Sequence, residues 1–220
     1  KSGIIKEKTP LFVYQQETNI LDVLKKEATA LNAEMKISKI PKNISVNSNG
    51  TQFIFNNQEY MIPLFGSHQA RNAALAIDVV GQFDPKINYD MIYNSLNRVF
   101  WPGRMQKIRQ RIFYDVSHNE KGMEMTLQAL KDLYPGKDIH GLLCLKKDKD
   151  LISLKSVIMK NFKTLYISED QKGFLLKSSI LEQELNRVNI KCNPVTSIKK
   201  GSVILKNLVR NNSSVGLIFG

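Results

Sequence analysis

In the first part of the chain, up to residue 100, apolar positions recur at helical or strand spacing. One face of a predicted helix carries Ile20, Leu24 and Leu31, and a second predicted helix carries an alanine-rich stripe that allows close packing. Two apolar runs around Asn56-Asn57-Gln58 indicate a hairpin. The predicted helices are 19–34, 67–83 and 88–99, and the predicted strands are 10–15 and the pair within 51–65.

From Trp101 onward, short and continuous apolar runs alternate with amphipathic stretches. The predicted strands are 111–116, 139–145, 163–168 and 213–219, and the predicted helices lie near 120–134, 150–161, 174–187 and 195–209. Such alternation is typical of a parallel sheet with helices on both faces. We therefore predict a boundary near residues 101–103, with a compact α/β domain over 101–220 after a different domain over 1–100.

Composition narrows the class of protein. The 42% hydrophobic and 24% charged residues are those of an ordinary globular chain, and no apolar run reaches the ~18 residues that would cross a bilayer. Cys144 and Cys192 follow no disulfide or zinc spacing, which indicates reduced thiols in the cytoplasm. We expect no membrane partner.

The net charge of +12 suits anionic partners such as nucleotides or polycarboxylates. Nucleic acid is disfavoured, because the lysines are dispersed and no aromatic-glycine RNA-binding motif is present. The chain starts at Lys1 rather than at a methionine and stops at Gly220, directly after the apolar run of the last predicted strand. We therefore expect a piece of a longer protein, with its second domain truncated at its end.

The stretch FYDVSHNE is the first candidate for chemistry, because ligands of parallel α/β sheets bind beyond the carboxyl ends of strands. Asp115 ends a predicted strand, and Ser117 with Glu120 has the spacing of a capping box. His118 and Asn119 would then lie in the first turn of a helix whose free N–H groups attract anions. Taken alone, the stretch favours plain capping over a nucleotide site.

Three further clusters have a functional and a plain interpretation. His68, Gln69 and Asn72 would cluster at the start of a helix, where they either cap and solvate it or read a base edge. Arg104 follows the Pro-Gly turn of WPGRM, as a phosphate ligand or as a surface residue of a linker. The charged loop 148–150 (DKD) comes after the next strand and is either solvated or part of the site.

The order of these motifs carries more information than any one of them. HQ-x-x-NA, PGR, D-x-x-HN and DKD follow one another as in the C-terminal half of folylpolyglutamate synthase/dihydrofolate synthase, within the Mur ligase superfamily. The initial KSGIIKEKTPLFV resembles the family's E-K-A-G-I-I-K-x-x-x-P segment, and the final VGLIFG resembles the strand before its terminal T-G-S turn. The resemblance spans essentially the whole chain.

This resemblance implies a fold and a reaction. The fold is a C-terminal Rossmann-like domain with a mostly parallel sheet, preceded by the tail end of a Mur-ligase-type central ATPase domain. The implied enzyme is a cytoplasmic ATP- and Mg²⁺-dependent ligase of folate biosynthesis and one-carbon metabolism, monomeric when full length. It adds L-glutamate to a folate or dihydropteroate carboxylate through an acyl phosphate.

The resemblance also implies roles for individual residues. Asn72 would contact the adenine, Asp115 the ribose, and Arg104 the phosphates across the cleft between domains. His118 would line the ATP site at the domain interface, so Arg104 and His118 are the implied catalytic residues. Lys1 aligns with the lysine that the family carries as a carbamate, an anionic oxygen ligand that can support Mg²⁺.

The sequence also departs from the family. It contains no Gly-x-x-Gly-Lys-Ser type loop to hold the γ-phosphate, so we expect the isolated 220-residue chain not to turn over. Glu120 stands where the family usually has proline, and Val116-Ser117 replaces Gly-Ala. Two alternatives remain open, a cell-wall Mur-type peptide ligase and a non-catalytic basic α/β module that binds RNA or an acidic protein.

Overall fold

The structure is a computed structural model that describes residues 2–84 and 86–220. Contacts divide the chain into two compact units. The first unit comprises the residues up to Pro63 together with Ser67–Val99, and the second comprises Leu64–Gly66 together with Phe100–Gly220. Within the described residues, no helix combines the length and hydropathy needed to cross a membrane.

In its described residues, the first unit contains a parallel two-stranded sheet, an antiparallel three-stranded sheet and three α-helices. Its elements are β1 (Leu11–Tyr14), α1 (Thr18–Ala30), β2 (Met35–Ser38), β3 (Lys42–Asn47), β4 (Gly50–Phe55), β5 (Gln58–Ile62), α2 (Ser67–Phe83) and α3 (Tyr89–Leu96). The three predicted helices are confirmed, whereas β2 and β3 were not predicted. β3 consists mainly of exposed or half-buried polar residues, so it has no continuous apolar pattern.

The predicted hairpin between β4 and β5 is confirmed, and its two-residue turn is Asn-Asn in place of the favoured Asn-Gly. Phe55 pairs with Gln58, so only Asn56 and Asn57 form the loop. Both asparagines have positive φ, 49° and 63°, as the tight type I′ turn requires. Asparagine tolerates this left-handed conformation better than other residues with a side chain, so it can replace glycine here.

The second unit is a six-stranded sheet with its helices. Its elements are β6 (Gln106–Arg109), β7 (Ile112–Asp115), α4 (Glu120–Leu133), β8 (Asp138–Leu143), α5 (Lys155–Asn161), β9 (Thr164–Ile167), α6 (Ser178–Arg187), β10 (Asn193–Pro194), α7 (Ile198–Leu208) and β11 (Ser214–Phe219). The strand order is β10-β9-β8-β11-β7-β6, and only the β6–β7 pair is antiparallel. The predicted fold class, a mostly parallel α/β sheet, is confirmed.

Side chains of the central strands pack against helices on both faces of this sheet. On one face, Ile112 and Ile218 belong to a buried cluster with Leu205 of α7. On the other face, the ring of Phe113 lies 5.9 Å from that of Tyr134 at the end of α4. The central strands are therefore buried from both sides, which accounts for their continuous apolar sequence.

Four strands end at the same level of the sheet. Asp115 pairs with Phe219, Phe219 with Leu143, and Leu143 with Ile167. The loops that follow β7, β8 and β9 therefore leave the sheet at one edge, the edge where ligands of parallel α/β sheets bind.

A buried histidine in β8 makes the stability of this sheet depend on pH. His140 is 5% exposed, and its Nδ1 lies 2.7 Å from Thr164 Oγ1. Burial lowers the pKa of His140 below 6.5, although the nearby Asp138 opposes this shift. The contribution of neutral His140 is therefore fully present above pH 6.5 and is lost as pH falls through the lowered pKa.

We expect His140→Gln to weaken this pH dependence, because glutamine can bond to Thr164 without taking up a proton. Urea unfolding from about pH 7.5 to about pH 5 should show a smaller loss of stability in the variant than in the wild type. Equal losses in both proteins would contradict the prediction.

Candidate functional site

The carboxylate of Asp115 joins two loops at the carboxyl end of β7. It is 4% exposed, and its Oδ2 accepts a hydrogen bond from the backbone N–H of Met105 at 2.8 Å. Its Oδ1 accepts a second bond from the N–H of Ser117, also at 2.8 Å. Asp115 therefore holds the turn before β6 and the loop after β7 in fixed positions.

The turn at residues 102–105 is held by backbone geometry. The carbonyl of Gly103 accepts the N–H of Val116 at 2.8 Å, and the N–H of Gly103 donates to Gln106 Oε1 at 3.2 Å. Gly103 has φ 72°, and a Cβ there would lie 2.5 Å from Val116 Cγ1, so only glycine fits. The buried Met105 also has a left-handed backbone, with φ 44°, a conformation that costs about 1–2 kcal/mol in a residue with a side chain.

Arg104 lies between these two left-handed residues, and its side chain is exposed. Its backbone N–H donates to the carbonyl of Trp101 at 3.3 Å. Among the residues that the structure describes, the Arg104 guanidinium has no hydrogen bond or ion pair. The fixed turn thus presents a guanidinium whose five N–H donors are available to an anion.

His118 is half-buried in the loop after β7, and its Nδ1 lies 2.9 Å from the carbonyl oxygen of Val116. A carbonyl can only accept, so Nδ1 carries the proton and Nε2 is the nitrogen that remains for a ligand. The N–H of Val116 thus bonds to Gly103 in the turn that carries Arg104, and the carbonyl of Val116 bonds to the His118 imidazole. The second unit brings Arg104, Asp115 and His118 into adjacent loops, while their contacts with a nucleotide stay predictions.

The predicted capping box is wrong. Helix α4 begins at Glu120, and its N-cap is Asn119, whose Oδ1 accepts the N–H of Gly122 at 2.9 Å. Ser117 is buried instead, with its Oγ 3.1 Å from Met123 Sδ. Because Asp115 holds the N–H of Ser117, the chain stays in the loop for two more residues. His118 and Asn119 therefore precede the helix rather than forming its first turn.

Asn72 lies in the first unit, in a polar cluster at the start of α2. Its Nδ2 donates to Gln69 Oε1 at 3.0 Å, which confirms the predicted neighbourhood of these two residues. Its Oδ1 accepts a hydrogen bond from the hydroxyl of Tyr14, the last residue of β1. Burial raises the pKa of Tyr14, although Arg71 opposes the shift, so the hydroxyl stays protonated.

Tyr14 was missed in the sequence because a tyrosine in a strand normally indicates packing. Because Asn72 Oδ1 accepts a hydrogen bond from Tyr14 and its Nδ2 donates one to Gln69, the Asn72 amide keeps one fixed orientation. One N–H of Nδ2 and one lone pair of Oδ1 remain for a ligand.

The acidic residues of the loop 148–150 make local contacts. Asp148 pairs with Lys149 at 2.7 Å, and this hydrogen bond lowers the pKa of Asp148. Asp150 Oδ1 accepts the N–H of Ile152 at 2.9 Å. Both carboxylates are thus engaged in local contacts that stabilise the loop.

The divalent metal implied by the family finds no preformed ligand set in this part of the molecule. Over residues 2–84 and 86–220, no group of three or more His, Cys, Asp and Glu side chains could hold a metal ion. Lys1, the predicted metal-supporting residue, lies outside the described residues.

The chain is similar in sequence to known ligases. No protein-family model matches the chain. It is 27% identical over 163 residues to the dihydrofolate synthase/folylpolyglutamate synthase of Bacillus subtilis, a match that covers 68% of this chain and 38% of that enzyme. It is 32% identical over 106 residues to the UDP-N-acetylmuramoyl-L-alanyl-D-glutamate--2,6-diaminopimelate ligase of Rickettsia bellii, covering 46% of this chain and 22% of that enzyme.

Among solved structures, folylpolyglutamate synthase of Mycobacterium tuberculosis, complexed with ADP and AMPPCP, superposes with a TM-score of 0.86 at 20% identity. The superposition covers all of this chain and 55% of the solved one. The chain therefore spans little more than half the length of the proteins it resembles. The resemblance to folylpolyglutamate synthase/dihydrofolate synthase stated from the motifs is confirmed.

Proposed function

We propose that this chain is part of an ATP-dependent ligase that adds L-glutamate to a folate or pteroate carboxylate. The observation that carries the proposal is the exposed Arg104 guanidinium, held on a fixed turn beside His118 at the ligand edge of the sheet. The similarity to folylpolyglutamate synthases over most of the chain supports the same conclusion.

In this reaction the folate carboxylate attacks the γ-phosphorus of ATP, forming an acyl phosphate and releasing ADP. The amine of glutamate then attacks the acyl carbon, the amide forms, and inorganic phosphate leaves as the amine loses its proton. Catalysis of phosphoryl transfer depends on positioning and charge stabilisation. Arg104 supplies positive charge to the phosphates, and His118 Nε2 offers a hydrogen-bonding partner at the same loops. Mg²⁺, when bound with the phosphates, would neutralise further charge.

Asn72 is proposed to read the adenine. Adenine presents a donor beside an acceptor, and the amide that Tyr14 and Gln69 orient offers one acceptor and one donor in return. Asp115 is proposed to contact the ribose through lone pairs that its two backbone bonds leave available.

Arg104→Ala tests the central claim. We expect kcat/KM for ATP-dependent glutamate ligation by the full-length protein to fall about 100-fold or more. The reason is that charge stabilisation in the transition state is lost. The unfolding midpoint should not change, since the exposed guanidinium has no hydrogen bond or ion pair among the described residues. Arg98→Ala, another exposed arginine, is the matched control. Unchanged kcat/KM in Arg104→Ala would contradict the assigned role.

The isolated 220-residue chain is expected to have no ligase activity, because its sequence contains no Gly-rich phosphate loop. Incubation with ATP, Mg²⁺, L-glutamate and dihydropteroate should give no ADP above background. Measurable glutamate ligation by this chain would show that the γ-phosphate is held in another way.

The two alternatives give different results. The similarity to a cell-wall ligase favours a Mur-type substrate as the second candidate, and an assay with a nucleotide-linked muramoyl peptide in place of folate distinguishes them. RNA binding would appear as filter retention that falls steeply between two salt concentrations.

A further inference from the structure

A cavity of about 360 Å³ lies in the first unit, away from Asn72 and its cluster. It is bounded by the antiparallel sheet β3–β5 and by helix α3. Its wall contains Gln52, Ile54 and Glu59, and the buried Phe53 and Tyr60 border it as well.

Tyrosine rings form the second wall. The ring of Tyr89 lies 5.4 Å from that of Tyr60 and 5.7 Å from that of Tyr93. Its hydroxyl donates to the backbone carbonyl of Glu59 at 2.6 Å, which fixes helix α3 against β5. Because that hydroxyl is already bonded, Tyr89 offers a ligand its aromatic ring rather than its polar end.

Two carboxylates, those of Glu59 and Asp90, lie near the Tyr89 ring, in contrast to the net charge of +12 of the whole chain. Glu59 is exposed and has no ion pair within the described part of the chain, and Asp90 directly follows Tyr89. Burial raises the pKa of Tyr89, and Tyr93, Asp90 and Glu59 add to that rise. The Tyr89 phenol is therefore neutral at physiological pH, and its electron-rich ring lies near the carboxylates of Asp90 and Glu59.

An aromatic wall beside an unpaired carboxylate is suited to an organic cation. A ring face attracts a cation placed within about 6 Å of its centre. Among biological cations, a guanidinium combines a planar face that stacks on rings with paired N–H groups that match a carboxylate. Lys42 pairs with Ile54, and Ile54 pairs with Glu59, so Lys42 and Glu59 lie in the same row across the sheet, two strands apart. Because the Lys42 ammonium repels a cation, the positive charge of a ligand would lie at the Glu59 side.

We propose that this cavity is a binding site for a guanidinium group, which stacks on Tyr89 and Tyr93 and pairs with Glu59. Gln52 adds an amide at the same wall. The site is independent of the proposed ligase activity and can be tested on the 220-residue chain itself. The guanidinium could come from a free metabolite or from an arginine side chain in a peptide.

The test is a titration followed by NMR, with methylguanidinium as the probe and the uncharged methylurea, of nearly the same shape, as its control. We expect saturable shifts of the Tyr89 and Tyr93 ring signals with methylguanidinium only. Affinity should fall at least about 10-fold in Glu59→Gln and in Tyr93→Ala, in line with loss of a charged pair or of a cation–π contact. Tyr93→Phe should retain binding, and Glu27→Gln, on the exposed side of α1, should not change it.

N-acetyl-arginine amide identifies the source of the group. If it binds as tightly as methylguanidinium or more tightly, the site accepts an arginine side chain, and weaker binding indicates a free guanidinium compound. The absence of saturable shifts with both probes would overturn the proposal. Equal binding of methylurea, or unchanged affinity in both Glu59→Gln and Tyr93→Ala, would also overturn it.

Discussion

Replacing Asp115 with alanine is expected to lower the free energy of unfolding by about 3 kcal/mol, because two buried backbone N–H groups lose a charged acceptor at once. Those groups belong to Met105 and Ser117, one in each loop at the end of β7. No other side chain is bonded to either N–H among the described residues, so both would remain unsatisfied. Urea unfolding at neutral pH measures the difference directly.

Asp115→Asn separates the two hydrogen bonds from the charge. Its amide oxygen can still accept one N–H, but its NH₂ group would face the other, so we expect an intermediate loss. Asp22→Ala, at an exposed position of α1, is the control and should change stability by less than about 0.5 kcal/mol. If Asp115→Ala were as stable as this control, Asp115 could not be what holds the two loops.

Phe113→Ala is expected to have the largest effect in the sheet, a loss of about 3–5 kcal/mol, because the ring leaves a cavity in a core that cannot fully collapse. Phe113 is completely buried in β7, between two aromatic partners. Its ring lies 5.6 Å from Phe65, nearly perpendicular to it, and 5.9 Å from Tyr134. Equilibrium unfolding in urea, with a constant m-value, gives the change.

Phe174→Ala is the matched control, since it removes the same ring from a position that is 68% exposed. We expect a change below about 0.5 kcal/mol there. Phe113→Leu should recover part of the loss, because it refills some of the volume. Equal effects of Phe113→Ala and Phe174→Ala would mean that the buried ring contributes little to this core.

The elements that the sequence predicted are those whose burial leaves a regular pattern. β7, β8, β9 and β11 are covered by helices on both faces, so each appears as a continuous apolar run. β6 is an edge strand with a largely exposed QKIR sequence, and β10 has only two residues, Asn193–Pro194. Neither carries a periodic signal, so neither could be predicted.

The candidate site was predictable in its location but not in its hydrogen bonds. The position of Asp115 after an apolar run places it at the edge of the sheet, wherever its carboxylate points. That the carboxylate reaches back to Met105, ten residues earlier, depends on the pairing of β6 with β7. The other oxygen of Asp115 holds the N–H of Ser117, so the N-cap is Asn119 instead of Ser117, which the capping-box spacing did not indicate.

The bonds that fix the turn of Arg104 do not involve its side chain, and this affects which substitutions the protein can tolerate during evolution. The turn that carries Arg104 is fixed by the Gly103 backbone, by Asp115 and by the peptide of Val116, and none of these bonds involves the guanidinium. Substitutions at residue 104 can therefore alter charge, reach or ligand preference while the fold is unaffected. Substitutions at Gly103 or Asp115 have no such freedom, so a lineage that shifted to a different ligand would be expected to vary residue 104 while keeping its two anchors.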